Sequence, residues 1–173
     1  GVRAQFAEAA RTRRCDWGHD LAEGPGLLLP ELSQLRTAAR LLRIEALASL
    51  EDGKTADATA TMLLLGSIGT QAGDERLVIG SLVGNAIGGS LMPELVHDAI
   101  DGGAIDAKAA QGMLDALGPL KGDDPFRYAD AMRSEGEWLS KWLGTMKSDA
   151  EFQGKTAEFG MTIPDAVRTM TLD

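Results

Sequence analysis

Cysteine is nearly absent from this chain: Cys15 is the one thiol in 173 residues. An internal disulfide and a metal site made only of sulfur each need at least two thiols, so both are excluded. Histidine is almost as scarce, with His19 and His97 alone. Positive charge is also in deficit, 17 Lys and Arg against 26 Asp and Glu, for a formal net charge of -9. Such a surface repels a polyphosphate backbone, so nucleic acid is excluded as a partner. Arg3, Arg11, Arg13, Arg14, Arg36, Arg40 and Arg43 do gather near the start, but the Arg13–Arg14 pair reads as a solvated helix end.

A long apolar run is missing too. The uncharged stretch Leu77–Pro93 carries four glycines, two serines and Asn85, which falls short of the roughly 20 strongly apolar residues a membrane span needs. It reads as a buried helix. No Gly-x-Ser-x-Gly, phosphate-binding glycine loop or His-Glu-x-x-His occurs. Gly1, standing where a methionine would begin a chain, is expected to mark a processed or trimmed form.

What is present is helical periodicity. Val2, Phe6 and Ala10 share one face of an opening helix, and the Gly- and Asp-rich segment from Cys15 to Gly26 reads as an ordered loop that Trp17 anchors. Pro30 suits a first helical turn, and Leu32, Leu35, Ala39, Leu42 and Ala46 then recur every three to four residues until Gly53. Thr55 and Asp74 are expected N-caps of the next two helices, the second reaching about Ile100 with a kink or break at Pro93. Asp106 opens another, which Gly118 and Pro119 stop, and Asp124-Pro125 opens the last, through Met146. The segments from Asp52 and Asp101 echo one another, with a glycine turn before an Asp-Ala pair and an apolar helix.

These signals predict an all-α, single-domain bundle of about five to six antiparallel helices arranged as helical hairpins, loosely TPR-like. It spans 1–147, with a tail 148–173 along its surface.

The glycines carry a further expectation. Gly80, Gly84 and Gly88 stack on one side of their helix, and Gly66, Gly69 and Gly73 on the helix before it. Each costs about 1 kcal/mol relative to alanine in a helix, so close packing between the two faces must offset them. Alternatively the same stripe forms a groove for an apolar ligand or partner helix. Trp138 and Trp142, with Leu139, Leu143 and Met146, form an apolar stripe that reads as core, or as a contact surface if exposed.

Cys15 and His19, four residues apart, superficially offer a thiol-imidazole couple or a metal pair. Zinc there would need His97, Asp98 or carboxylates brought from elsewhere, and a structural role for Cys15 is the simpler reading. Asp123 with Asp124 reads as an N-cap cluster and Glu135 with Glu137 as a polar helix face. No catalytic residue, metal or cofactor is predicted.

The runs CDWGHDLAEGPGLLLPELSQLRTAARLL, EALASLEDGKTADATATMLLLGSIG and LVIGSLVGNAIGG resemble a group of uncharacterised bacterial proteins that share a Cys-Asp-Trp-Gly loop and a leucine-rich helix, and SEGEWLSKWL extends the likeness. Members usually carry an N-terminal membrane anchor, so the resemblance implies an extracytoplasmic domain, periplasmic or membrane-anchored, whose anchor is absent from this form. It implies no activity. Relatives often have histidine at the position of Glu31 and an Arg-His near Ser67 to Gly69; this chain lacks both, which argues against a histidine-based site there. The expected role is a non-catalytic helical scaffold or protein-interaction domain, with a protein partner or a second copy of itself. The alternative is a binder of apolar small molecules in the glycine groove, and an enzyme using Cys15 and His19 comes third.

Overall fold

The computed structural model describes residues 2–11, 15–21, 27–116, 118–145, 150, 153–154 and 157. The Arg13–Arg14 pair and nearly all of the expected tail, 148–173, lie outside them. Among the described residues all regular structure is helical, as the periodicity predicts. In chain order the elements are α1 (Val2–Ala9), α2 (Pro30–Glu51), α3 (Thr55–Gly73), α4 (Val78–Gly84), a π-helical segment (Asn85–Leu91), α5 (Met92–Asp101), α6 (Ala107–Ala116), a 3₁₀ turn (Gly118–Lys121) and α7 (Tyr128–Gly144).

Helix α2 follows its sequence closely: Pro30 stands in its first turn, and Leu32, Leu35, Ala39, Leu42 and Ala46 are its buried stripe. The chain then reverses at Gly53, whose φ of 72° only glycine adopts without strain, and the Lys54 amide closes the turn on Ser49 O at 2.7 Å. The turn after α5 has the same build. Gly103 is left-handed there, and the Ala104 amide donates to Ala99 O at 2.9 Å. The two turns touch, because Thr55 donates its hydroxyl to Ala104 O at 3.2 Å. The faint sequence echo is thus two helical hairpins whose corners meet. Thr55 spends its side chain on that contact and does not cap α3, contrary to expectation.

Helix α3 is the axis of the bundle. Ala58, Thr61, Met62, Leu64, Leu65, Ile68, Gln71 and Ala72 are buried around most of its circumference, as befits a helix enclosed by its neighbours. Met62, Leu65 and Ile68 have almost no exposed surface, and each contributes about 1.5–3 kcal/mol by leaving water. Thr61 bonds its own helix at Asp57 O, and Gln71 donates to Ala9 O at 2.7 Å, at the end of α1.

Where α3 meets α4 and the π segment, backbone lies against backbone. A Cβ on Gly69 would sit 2.8 Å from Gly88 N and 2.9 Å from Gly84 O, and one on Gly84 would overlap Gly69 O. Gly80 faces Ala72 O in the same way. The Phe126 ring covers the open side of this seam, within 3.3 Å of a Cβ at Gly84 and closer still at Gly88. Gly80, Gly84 and Gly88 therefore pack closely within the chain, as the first of the two expectations has it.

Pro93 stands in the first turn of α5, at the boundary with the π segment, so the expected division falls there. Its missing amide and its ring disfavour an ordinary turn against the carbonyl four residues back, and the helix widens just before it, with the Met92 amide donating to Ile87 O. Asp124 accepts the amides of Tyr128 at 2.6 Å and Ala129 at 2.8 Å as expected of a cap, but α7 begins at Tyr128, after a left-handed Arg127, and not at Pro125. Asp74 does not cap α4. That helix begins at Val78, whose amide donates to Glu135 Oε2 of α7 at 2.8 Å.

Candidate functional site

The loop from Cys15 to Leu21 crosses the bundle where α3 turns into α4, and three connections hold it. The Cys15 amide donates to Asp74 Oδ2 at 3.1 Å. Asp16 accepts the Gly18 amide at 2.9 Å, a local turn that the left-handed φ of Gly18 completes. At its far end Leu21 O accepts the indole N–H of Trp138 from α7. Trp17 packs against the core as anticipated, although its Nε1 is enclosed with no hydrogen-bond partner among the described residues.

This path carries His19 onto two carboxylates distant in sequence. His19 Nε2 lies 3.2 Å from Glu31 Oε1, in the first turn of α2, and 3.2 Å from Glu75 Oε1, in the α3–α4 turn. All three side chains are largely withdrawn from water, Glu75 most of all at 4% exposed. Burial pushes the Glu75 carboxyl up to about 7; the charges of Glu31 and Asp16 push the same way, while His19 pulls it down. The neighbouring Asp74 is spanned by cationic and amide donors, accepting Arg127 Nη1 at 2.9 Å in addition to the Cys15 amide. Cys15, Asp16, Trp17, His19, Asp74 and Glu75 wall a cleft of ≈ 480 Å³.

A metal site at His19 needs carboxylates brought from elsewhere in the chain, and Glu31 and Glu75 are brought there. Position 31 is glutamate where relatives often have histidine, and the structure sets a histidine beside it from the loop, His19. Glu75 went unnoticed within a short turn, and the signal for it was its place directly after the buried end of α3.

Cys15 and His19 line one cleft, but their surroundings do not make a nucleophile. Burial, then Asp74, Glu75 and Asp16, all raise the Cys15 thiol above its ordinary pKa, which keeps it protonated, whereas an activated cysteine needs the opposite. His97 sits exposed on α5, away from this cluster. Trp142 is buried at 7% exposed, so it belongs to the core side of its stripe, and Trp138 is half-buried against the loop. Glu135, read as part of a polar face, instead caps α4.

Exposed apolar side chains lie elsewhere, with Leu28 at 79% and Leu41 and Ile44 of α2 at 61% and 63% the most exposed among the described residues. Ile79 and Leu82 of α4 are 48% and 50% exposed, and Tyr128 and Met132 of α7 are 47% and 53% exposed. The Val78–Glu135 hydrogen bond at one end and the Gly88–Phe126 packing at the other set α4 antiparallel to α7. That register brings Leu82 to about the level of Met132.

Among the described residues, no helix is long and apolar enough to cross a membrane. Compared with known proteins, the chain matches no family model, no curated protein and no solved structure.

Proposed function

We propose that this chain is a non-catalytic helical interaction domain, and that its α4–α7 ridge receives an amphipathic helix of another protein, apolar on one face and basic along its flanks. The observation that carries this reading is that Ile79, Leu82, Tyr128 and Met132 stand about half exposed on two packed helices, where they would form the ridge. Isolated apolar residues on a surface are ordinary, but pairs spaced i, i+3 on α4 and i, i+4 on α7 match the anchor spacing by which a third helix docks. Charge selects the occupant. At a net charge of -9 a second copy of the chain meets like charge, while a basic-flanked helix is attracted. The protonated, acid-surrounded Cys15 thiol supports the non-catalytic part of the reading. An extracytoplasmic setting in a bacterium rests on the resemblance of the Cys-Asp-Trp-Gly loop and leucine-rich helix.

Two designed peptide helices with the same leucine stripe, one flanked by lysine and one by glutamate, provide the test. The lysine-flanked peptide is expected to bind, with affinity falling as salt rises, and Leu82→Asp to weaken it about 10-fold or more without lowering the melting temperature. Equal binding of the two peptides, or undiminished binding by the Leu82→Asp protein, would overturn the proposal. Sedimentation of the chain alone is expected to give a monomer.

A further inference from the structure

We propose that His19, Glu31 and Glu75 bind one divalent transition-metal cation, of the class that includes zinc and manganese. Glu31 Oε1 and Glu75 Oε1 each approach the same atom, His19 Nε2, at 3.2 Å. A ring nitrogen carries at most one hydrogen, and that hydrogen can be directed well at one oxygen. The other carboxylate oxygen is left facing a nitrogen with nothing further to donate, in surroundings where water is largely excluded. A cation between the three atoms replaces the shared hydrogen with a bond to each.

The spacing suits such an ion. Metal bonds of about 2.0–2.1 Å to nitrogen and oxygen, arranged tetrahedrally, set the donor atoms about 3.3 Å apart. The two histidine-to-carboxylate separations are 3.2 Å, and all three donor atoms lie within 4.8 Å of one another. One imidazole and two carboxylates favour zinc, manganese or a similar ion over calcium and magnesium, which take oxygen alone, and over copper(I), which prefers sulfur. His19 and Glu75 also line the cleft, from which water completes the coordination. Formal charge agrees, because one neutral imidazole and two carboxylates balance a divalent ion.

The three donors come from the loop, the first turn of α2 and the α3–α4 turn, so an ion here fastens three distant stretches of chain at one point. This inference is independent of the docking ridge.

Isothermal titration of the chelator-treated full chain with zinc chloride and, separately, manganese chloride tests it. The expected result is one ion per chain, with a melting temperature higher by about 5–10 °C at a free-ion concentration 100 times the Kd. Glu75→Gln and His19→Asn are each expected to weaken binding about 10-fold or more while the far-ultraviolet circular dichroism stays unchanged. Glu31→Gln serves if either variant fails to fold, and Glu137→Gln, an exposed carboxylate on α7, is expected to change nothing. Cobalt(II) in place of zinc is expected to give ligand-field absorption without a thiolate charge-transfer band. Binding weaker than about 100 μM, affinity unchanged by Glu75→Gln or His19→Asn, or a thiolate band would overturn the proposal.

Discussion

Two neighbouring positions show how differently this molecule holds itself together. Gly73 lies against the backbone of Phe126, and one residue later on both strands of the contact Asp74 pairs with Arg127. On one side of that line the glycine seam sets backbone against backbone, with no room for a methyl group at Gly69 or Gly84. On the other side the loop cleft is crowded with ionisable groups whose partners must be shared. The seam is secured by shape and the cleft by charge, so different perturbations should break them.

The most damaging change should be Gly84→Leu, because even its Cβ overlaps the Gly69 carbonyl; a loss above about 4 kcal/mol, or failure to fold, is expected in urea denaturation. Phe126→Ala removes the cover of the seam and should cost about 3–5 kcal/mol in the same measurement. Neither loss should vary with pH between 5 and 8.

The cleft should respond to pH where the seam does not. Glu75 has a folded-state pKa near 7, above its ordinary value of 4.5, so folding favours its protonated form. Its contribution is therefore complete below about pH 4.5 and is lost as pH rises through 7. Urea midpoints of chelator-treated protein should fall over that window, and Glu75→Gln should flatten the decline. The smallest effect expected is kinetic. Cys15 should react with iodoacetamide at pH 8 several-fold more slowly than free cysteine, since burial and three carboxylates hold its proton; a rate equal to that of free cysteine would remove this support for a non-catalytic cleft.

The seam was legible in the sequence and the cleft largely was not, for a physical reason. A glycine stripe repeats at helical spacing within one segment, so Gly80, Gly84 and Gly88 announce a close approach before the partner is known. The core stripe of α2 is readable on the same grounds. Phe126, which closes the seam, comes from a loop more than 35 residues away, and no periodicity connects it. The cleft depends on such meetings throughout: His19, Glu31 and Glu75 share neither a helix face nor a spacing. Capping positions misled for a related cause. Thr55 and Asp74 have the right chemistry for helix starts, but tertiary partners, Ala104 and Arg127, took up their side chains.

The widened stretch at Asn85–Leu91 has a structural consequence for the whole rod from Val78 to Asp101. An extra residue in one turn advances the azimuth of everything after it by about 100°. The first half can thus present Gly80 and Gly84 to α3 while the second presents Leu95 and Ala99 toward both α2 and α3. Deleting Ser90 would restore an unbroken α-helical phase and swing Leu95 and Ala99 out toward water. The insertion acts as a gear between two halves of one helix, and the proline that follows it keeps that gear engaged.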